Sequence, residues 1–146
     1  MPIIATKGSH HLVIFAEGMK AWVLTMVYNL QSLFSEKILW KVLSGKSSLN
    51  LSWILTGNFN PTVSPKEHKG SFFRHYSSKC KMISDFVSQS NLLDLGFIGE
   101  NFTWCNGLGL AEPIRLGRFL SNGAYVSNFK FDSNLHLART NSGNAP

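Results

Sequence analysis

Cysteine is scarce in the 146-residue chain, which carries only Cys80 and Cys105. Their spacing matches no zinc or redox pattern, so a disulfide framework and a zinc-built fold are excluded. Two reduced thiols in an intracellular protein, nuclear or cytoplasmic, are expected. Acidic residues are few as well, eight Asp and Glu against fourteen Lys and Arg, for a formal net charge of +6. That balance permits weak, nonspecific nucleic-acid contact through counterion release, but the bases are scattered singly, as on an ordinary solvated surface. Long hydrophobic runs are missing: nothing approaches the roughly 20 apolar residues of a membrane span. Met1-Pro2-Ile3-Ile4 lacks the basic stretch, apolar run and small-residue cleavage site of a secretory signal. No membrane partner is expected, and the sequons beginning at Asn50 and Asn101 are expected to stay unglycosylated. Repeats, heptads and low-complexity tracts are lacking too, which removes solenoids and coiled coils.

What is present is an apolar share of 44%, enough for one globular domain spanning residues 1–146. Ser9 to Ala16 and Trp22 to Tyr28 are apolar runs rich in Val, Ile and aromatics, separated by Glu17-Gly18-Met19-Lys20. This predicts an opening β-hairpin. Ile38, Leu39, Val42 and Leu43 recur at helical spacing, with Ser35 as N-cap and Gly45 as terminator, so a helix should cover the sheet. Ser52 to Thr56, apolar without alternation, predicts a strand buried on both faces that turns at Gly57. Pro61 to Tyr76 has no periodicity and reads as a long loop. A second helix carries Met82, Ile83, Phe86 and Val87 on one face. Beyond Asn91, short apolar pieces at Leu92 to Leu95, Phe102 to Trp104, Ile114 to Leu120 and Leu135 to Ala138 alternate with glycines, the pattern of strands joined by turns. Strands and helices in this order make the fold class α+β or α/β.

Several pieces also fall in a known order. Thr25-Met26-Val27-Tyr28 resembles a Thr-x-Val-Tyr strand, and Lys37-Ile38-Leu39-Trp40-Lys41-Val42-Leu43 the helix that follows it. Trp53-Ile54-Leu55-Thr56-Gly57-Asn58-Phe59-Asn60 resembles an apolar strand ending in Gly-Asp-Phe-Asn. Phe102-Thr103-Trp104-Cys105-Asn106 is similar to Phe-Thr-Trp-x-Asn, and Arg115-Leu116-Gly117-Arg118 to Arg-Leu-Asp-Arg. Ser142-Gly143-Asn144-Ala145-Pro146 lines up with Ser-Asp-His-x-Pro, and Glu67 and Gly70 stand where an acidic-glycine loop is found. In that order the motifs resemble the later part of the endonuclease/exonuclease/phosphatase nucleases, DNase I-like in fold, of the kind carried by plant non-LTR retrotransposons. The resemblance runs from about Ser9 to Pro146.

The resemblance implies a truncated four-layer sandwich, two packed sheets with outer helices, lacking its opening strands and the metal-binding Glu they carry. It implies Mg²⁺-dependent cleavage of a DNA phosphodiester at one end of the sheets, and on the same terms it assigns Tyr28 and Asn60 to retained phosphate-contacting positions. Asn58 stands for the Asp that handles the attacking water, Gly117 for a supporting Asp, and Gly143 and Asn144 for the closing Asp-His pair. An amide at Asn58 carries no charge and cannot take up a proton near neutral pH. A positioned base is worth on the order of a hundredfold to ten-thousandfold in rate, so no catalysis, no bound metal and no cofactor are expected. Tyr28, Asn58, Asn60 and Asn144 should still gather at one end of the sheet. Removing opening strands would leave a sheet face and edge open, so the isolated chain is expected to be poorly soluble or partly folded.

Other constellations carry less. His10-His11, His68, His75 and His136 suggest metal binding, but adjacent histidines in a strand point to opposite faces and no Cys or carboxylate completes a zinc spacing. Ser44 and Ser142 have no His and acid to form a triad. Trp104 and Phe102 fit a core or sheet-edge role better than base stacking. Two rivals to an inactive remnant stay open: an active metal-dependent endonuclease with substitute ligands, and a noncatalytic nucleic-acid-binding module. Oligomeric state is not legible.

Overall fold

A computed structural model describes residues 3–6, 8–14, 20–28, 32–48, 50–67, 78–105, 113–130 and 133–136. Three strands open it: β1 (Ile3–Thr6), β2 (Ser9–Ile14) and β3 (Trp22–Val27), each antiparallel to the next. The expected hairpin is therefore β2–β3, but it does not come first. A four-residue strand precedes it, too short to carry a period in the sequence.

Helix α1 (Leu33–Ser44) crosses from β3 to β4 (Ser52–Asn58), which lies parallel to β3. Its N-cap is Ser32, not Ser35: the Ser32 hydroxyl accepts the Ser35 backbone N–H at 3.1 Å, while Ser35 is buried inside the first turn. Ser32 is followed directly by Leu33 and Phe34, and capping there leaves about one turn more of helix than capping at Ser35. At the other end Gly45 caps as expected, in ordinary right-handed geometry.

After a 3₁₀ turn at Pro65–Glu67 comes α2 (Ser78–Gln89), then β5 (Leu93–Asp94), β6 (Ile98–Gly99), β7 (Gly117–Ser121), α3 (Gly123–Asn128) and β8 (Leu135–His136). The six-stranded sheet has the order β1-β2-β3-β4-β7-β5, mixed because only β3 and β4 are parallel. The chain is thus α+β. Strand β4 is central, as its apolar run demanded, although it runs through Gly57 to Asn58 instead of turning there. Phe102 to Trp104 yields only one isolated bridge, Trp104 to Ile114, and β6 pairs with β8 in a separate two-stranded ribbon. A second large sheet packed on the first is not present among the described residues.

Alternation sorts the sheet's side chains. Val23 and Val27 of β3, Trp53 and Leu55 of β4 and Leu120 of β7 form one core with Leu39, Trp40 and Leu43 of α1 and Ile83 and Phe86 of α2. Met82 and Val87 pack against it. Each such large side chain contributes roughly 1.5 to 3 kcal/mol by leaving water. Thr25 lies within the same face, and its hydroxyl accepts the Trp53 indole N–H at 2.8 Å, so burial leaves that donor satisfied.

Part of the opposite face is covered by α3, an element the sequence reading missed. Asn122 caps it: its Oδ1 accepts the backbone N–H of Tyr125 and of Trp53, and its Nδ2 donates to the Leu51 carbonyl. Tyr125 and Phe129 then stack on each other and meet Trp22 edge-on. Beside them an apolar groove of about 220 Å³ runs between Trp22, Leu24, Ile54 and Phe119. Cys80 and Cys105 are both buried.

Candidate functional site

Because β3 and β4 are parallel, their C-terminal ends lie side by side, with Val27 opposite Gly57. Antiparallel β7 begins at the same end, placing Gly117 opposite Asn58 and Arg118 opposite Gly57. Tyr28, immediately after β3, donates its backbone N–H to the Gly8 carbonyl at 3.2 Å. Thus Tyr28, Asn58, Asn60 and Gly117 share one end of the sheet. Gly143 and Asn144 lie outside the described residues.

The approach of β3 to β4 here requires a glycine. Gly57 has φ of +126°, and a Cβ on it would sit 1.9 Å from the Val27 carbonyl oxygen. Phe59, 2% exposed, stacks on Trp40 and donates its N–H to the Leu116 carbonyl, pinning the turn into the core. On either side of it Asn58 and Asn60 stay partly exposed. The Asn58 side-chain oxygen accepts the Asn60 backbone N–H at 2.8 Å. Asn60 has φ of +66°, a left-handed conformation that Asn tolerates better than most residues.

This fixes what Asn58 offers. Its oxygen is committed to the turn, and its nitrogen is a donor; neither accepts a proton. Tyr28 is half exposed and its ring stacks against His10 at 5.5 Å between centroids. His10 is the residue the sequence reading missed at this end, because only the register of β2 on β3 brings it there. At Gly117 an added Cβ would meet Thr103 Cγ2 at 3.4 Å, an ordinary contact. The Thr103 hydroxyl accepts the N–H groups of both Leu116 and Gly117 at 2.8 Å, tying residues near Trp104 to the start of β7.

Next to this end lies a charged cluster that the motifs foreshadow only in part. Arg118 Nη2 reaches Glu67 Oε2 at 2.7 Å and its Nη1 reaches Asp94 Oδ2 at 3.0 Å. Arg115 Nη1 reaches Glu67 Oε1 at 3.2 Å and its Nη2 reaches Asp94 Oδ1 at 2.9 Å. The four side chains form a closed ring of alternating charge, with Arg118 only 1% exposed. The guanidinium of Arg115 also lies 4.7 Å from the centre of the Phe97 ring. Glu67 further accepts the backbone N–H of Val63 and Ser64, so the loop after Asn60 is drawn onto the ring.

A hard cation such as Mg²⁺ needs several oxygen ligands, with carboxylates to offset its charge. The described residues at this end do not fit it: Tyr28, Asn58 and Asn60 supply no carboxylate, and Glu67 and Asp94 are divided between two guanidinium groups. Among the described residues no group of three or more His, Cys, Asp or Glu side chains gathers closely enough to hold a metal ion.

No protein-family model and no curated protein matches the chain. Among solved structures the chain is similar to an endonuclease/exonuclease/phosphatase family protein from Bacteroides thetaiotaomicron, at 14% identity and a TM-score of 0.49. The match covers 79% of this chain and 41% of that one.

Proposed function

We propose that the chain is the later part of an endonuclease/exonuclease/phosphatase-type domain of the retrotransposon kind, a piece of the four-layer sandwich, and that it does not cleave phosphodiesters. The motif order supports the family. The inactivity rests on one observation, that the Asn58 side chain is an amide whose oxygen is held by the Asn60 N–H at 2.8 Å. Water positioned beside Asn58 meets an amide where a carboxylate base would be needed. Gly117, directly opposite, adds no charge. Tyr28 and Asn60 remain able to touch a phosphate oxygen, which is binding chemistry and not cleavage.

The test is incubation of supercoiled plasmid with the full chain and Mg²⁺ or Mn²⁺, the chain being held in solution by a carrier fusion and the carrier alone serving as control. Nicking equal to the control is expected with both metals. Nicking that copurifies with the chain and disappears in Asn60→Ala would overturn the proposal.

A second reading, nucleic-acid binding without cleavage, is favoured by the net charge of +6. It requires log affinity for duplex DNA to fall with log salt at a slope of about −0.9 per neutralised phosphate. Binding that is flat across a salt series removes it.

A further inference from the structure

Helix α1 is apolar on two sides. Its inner side, with Leu39, Trp40 and Leu43, belongs to the core. On its outer side Phe34 is 74% exposed, Ile38 44% and Val42 37%, at successive steps of four residues. Side chains four apart stack along one face of a helix, so the three make a continuous stripe. Beside it, also four apart, stand the exposed Lys37 and Lys41, neither of which forms an ion pair with a described residue. Both lysines also line a groove of about 380 Å³ between α1 and α2, together with Trp40, Met82, Phe86 and the acid Asp85.

A solvated helix would carry polar residues where Phe34, Ile38 and Val42 stand. We propose that the outer face of α1 docks an acidic amphipathic helix of a partner protein. The stripe and the lysine row advance together, one step of four residues being about 6 Å of helix rise. A second helix laid along α1 matches both rows at once, with large aliphatic residues against Phe34, Ile38 and Val42 and carboxylates four apart against Lys37 and Lys41. Charge complementarity decides the sign: the flank of the stripe carries Lys37 and Lys41, neither ion-paired with a described residue, while Asp85 in the same groove is held by Lys81 at 2.9 Å. An anionic membrane would use the same two chemistries but needs bases on both flanks of an apolar face. Here they occur on one flank, and Ser35, Glu36, Leu39, Trp40 and Leu43 on the rest of the helix are buried.

The probe is a fluorescent 18-residue helical peptide with Leu at positions i, i+4 and i+8 and Glu at i+3 and i+7, titrated onto the full carrier-fused chain. A scrambled peptide of the same composition and vesicles of phosphatidylserine and phosphatidylcholine are the comparisons. The expected result is saturable binding of the patterned peptide, weakened at least about tenfold by Phe34→Ala with Ile38→Ala. Lys37→Glu with Lys41→Glu should abolish binding, and a peptide with Lys in place of Glu should restore it. All four changed side chains are exposed, and an unaltered circular dichroism spectrum keeps the comparison valid. Equal affinity for the scrambled peptide, capture by vesicles without peptide binding, or no binding at all overturns the proposal.

Discussion

At Gly57 the backbone itself decides which residue can stand there. A Cβ would be driven into the Val27 carbonyl oxygen, and neither strand can retreat without breaking the parallel pairing that aligns Tyr28 with Asn58. Gly57→Ala is therefore expected to lower stability by more than about 1 kcal/mol, seen as a drop in the urea midpoint at constant slope. Gly117 is the opposite case, because its Cβ would meet Thr103 only at ordinary contact distance. Gly117→Asp and Asn58→Asp should each change stability by about 0.5 kcal/mol or less, since a carboxylate at residue 58 still accepts the Asn60 N–H. A large loss in either would mean that the strand end is packed differently. The chemistry of Asn58 was legible in the sequence because the apolar strand and its Gly-Asn-Phe-Asn ending are contiguous. The place of His10 was not, since it depends on pairing between β2 and β3.

At the scale of elements, the ring of Arg115, Arg118, Glu67 and Asp94 joins the loop after β4, strand β5 and strand β7. Arg118→Met deletes half of the ring's positive charge while leaving both carboxylates in place. With Arg118 almost wholly buried, a loss of roughly 3 to 5 kcal/mol is expected, measured by denaturant unfolding. A loss below about 1 kcal/mol would show the ring to be solvated. Its members lie up to 51 residues apart in sequence, so no local pattern announces it, though Arg115, Arg118 and Glu67 each stood in a recognisable motif. Elements with long apolar periods, β4 and α2, were legible because packing and pattern agree. Helix α3 was not: Gly123-Ala124-Tyr125-Val126-Ser127-Asn128 has weak propensity, and the helix exists because Asn122 caps it while bonded to β4.

For the whole molecule, helices α1 and α2 cover one face of the sheet, while α3 leaves an apolar groove on the other. Among the described residues nothing pairs with the outer edge of β1, and unprotected edges pair with other chains. The isolated chain is thus expected to elute heterogeneously in size exclusion and to unfold over a broad temperature range. A monodisperse monomer with one sharp calorimetric transition would contradict this. Restoring Asn58→Asp, Gly117→Asp, Gly143→Asp and Asn144→His together is expected to recover little plasmid nicking, because that set supplies a base but leaves Glu67 and Asp94 bound to arginines. The central claim is that, among the described residues, this strand end offers no carboxylate, as base or as metal ligand, outside the arginine-bound ring. Its most direct test is the electron paramagnetic resonance signal of free aqueous Mn²⁺ as carrier-fused chain is added. The signal should fall no more than with carrier alone; a stoichiometric loss abolished by Asn58→Ala would contradict the claim.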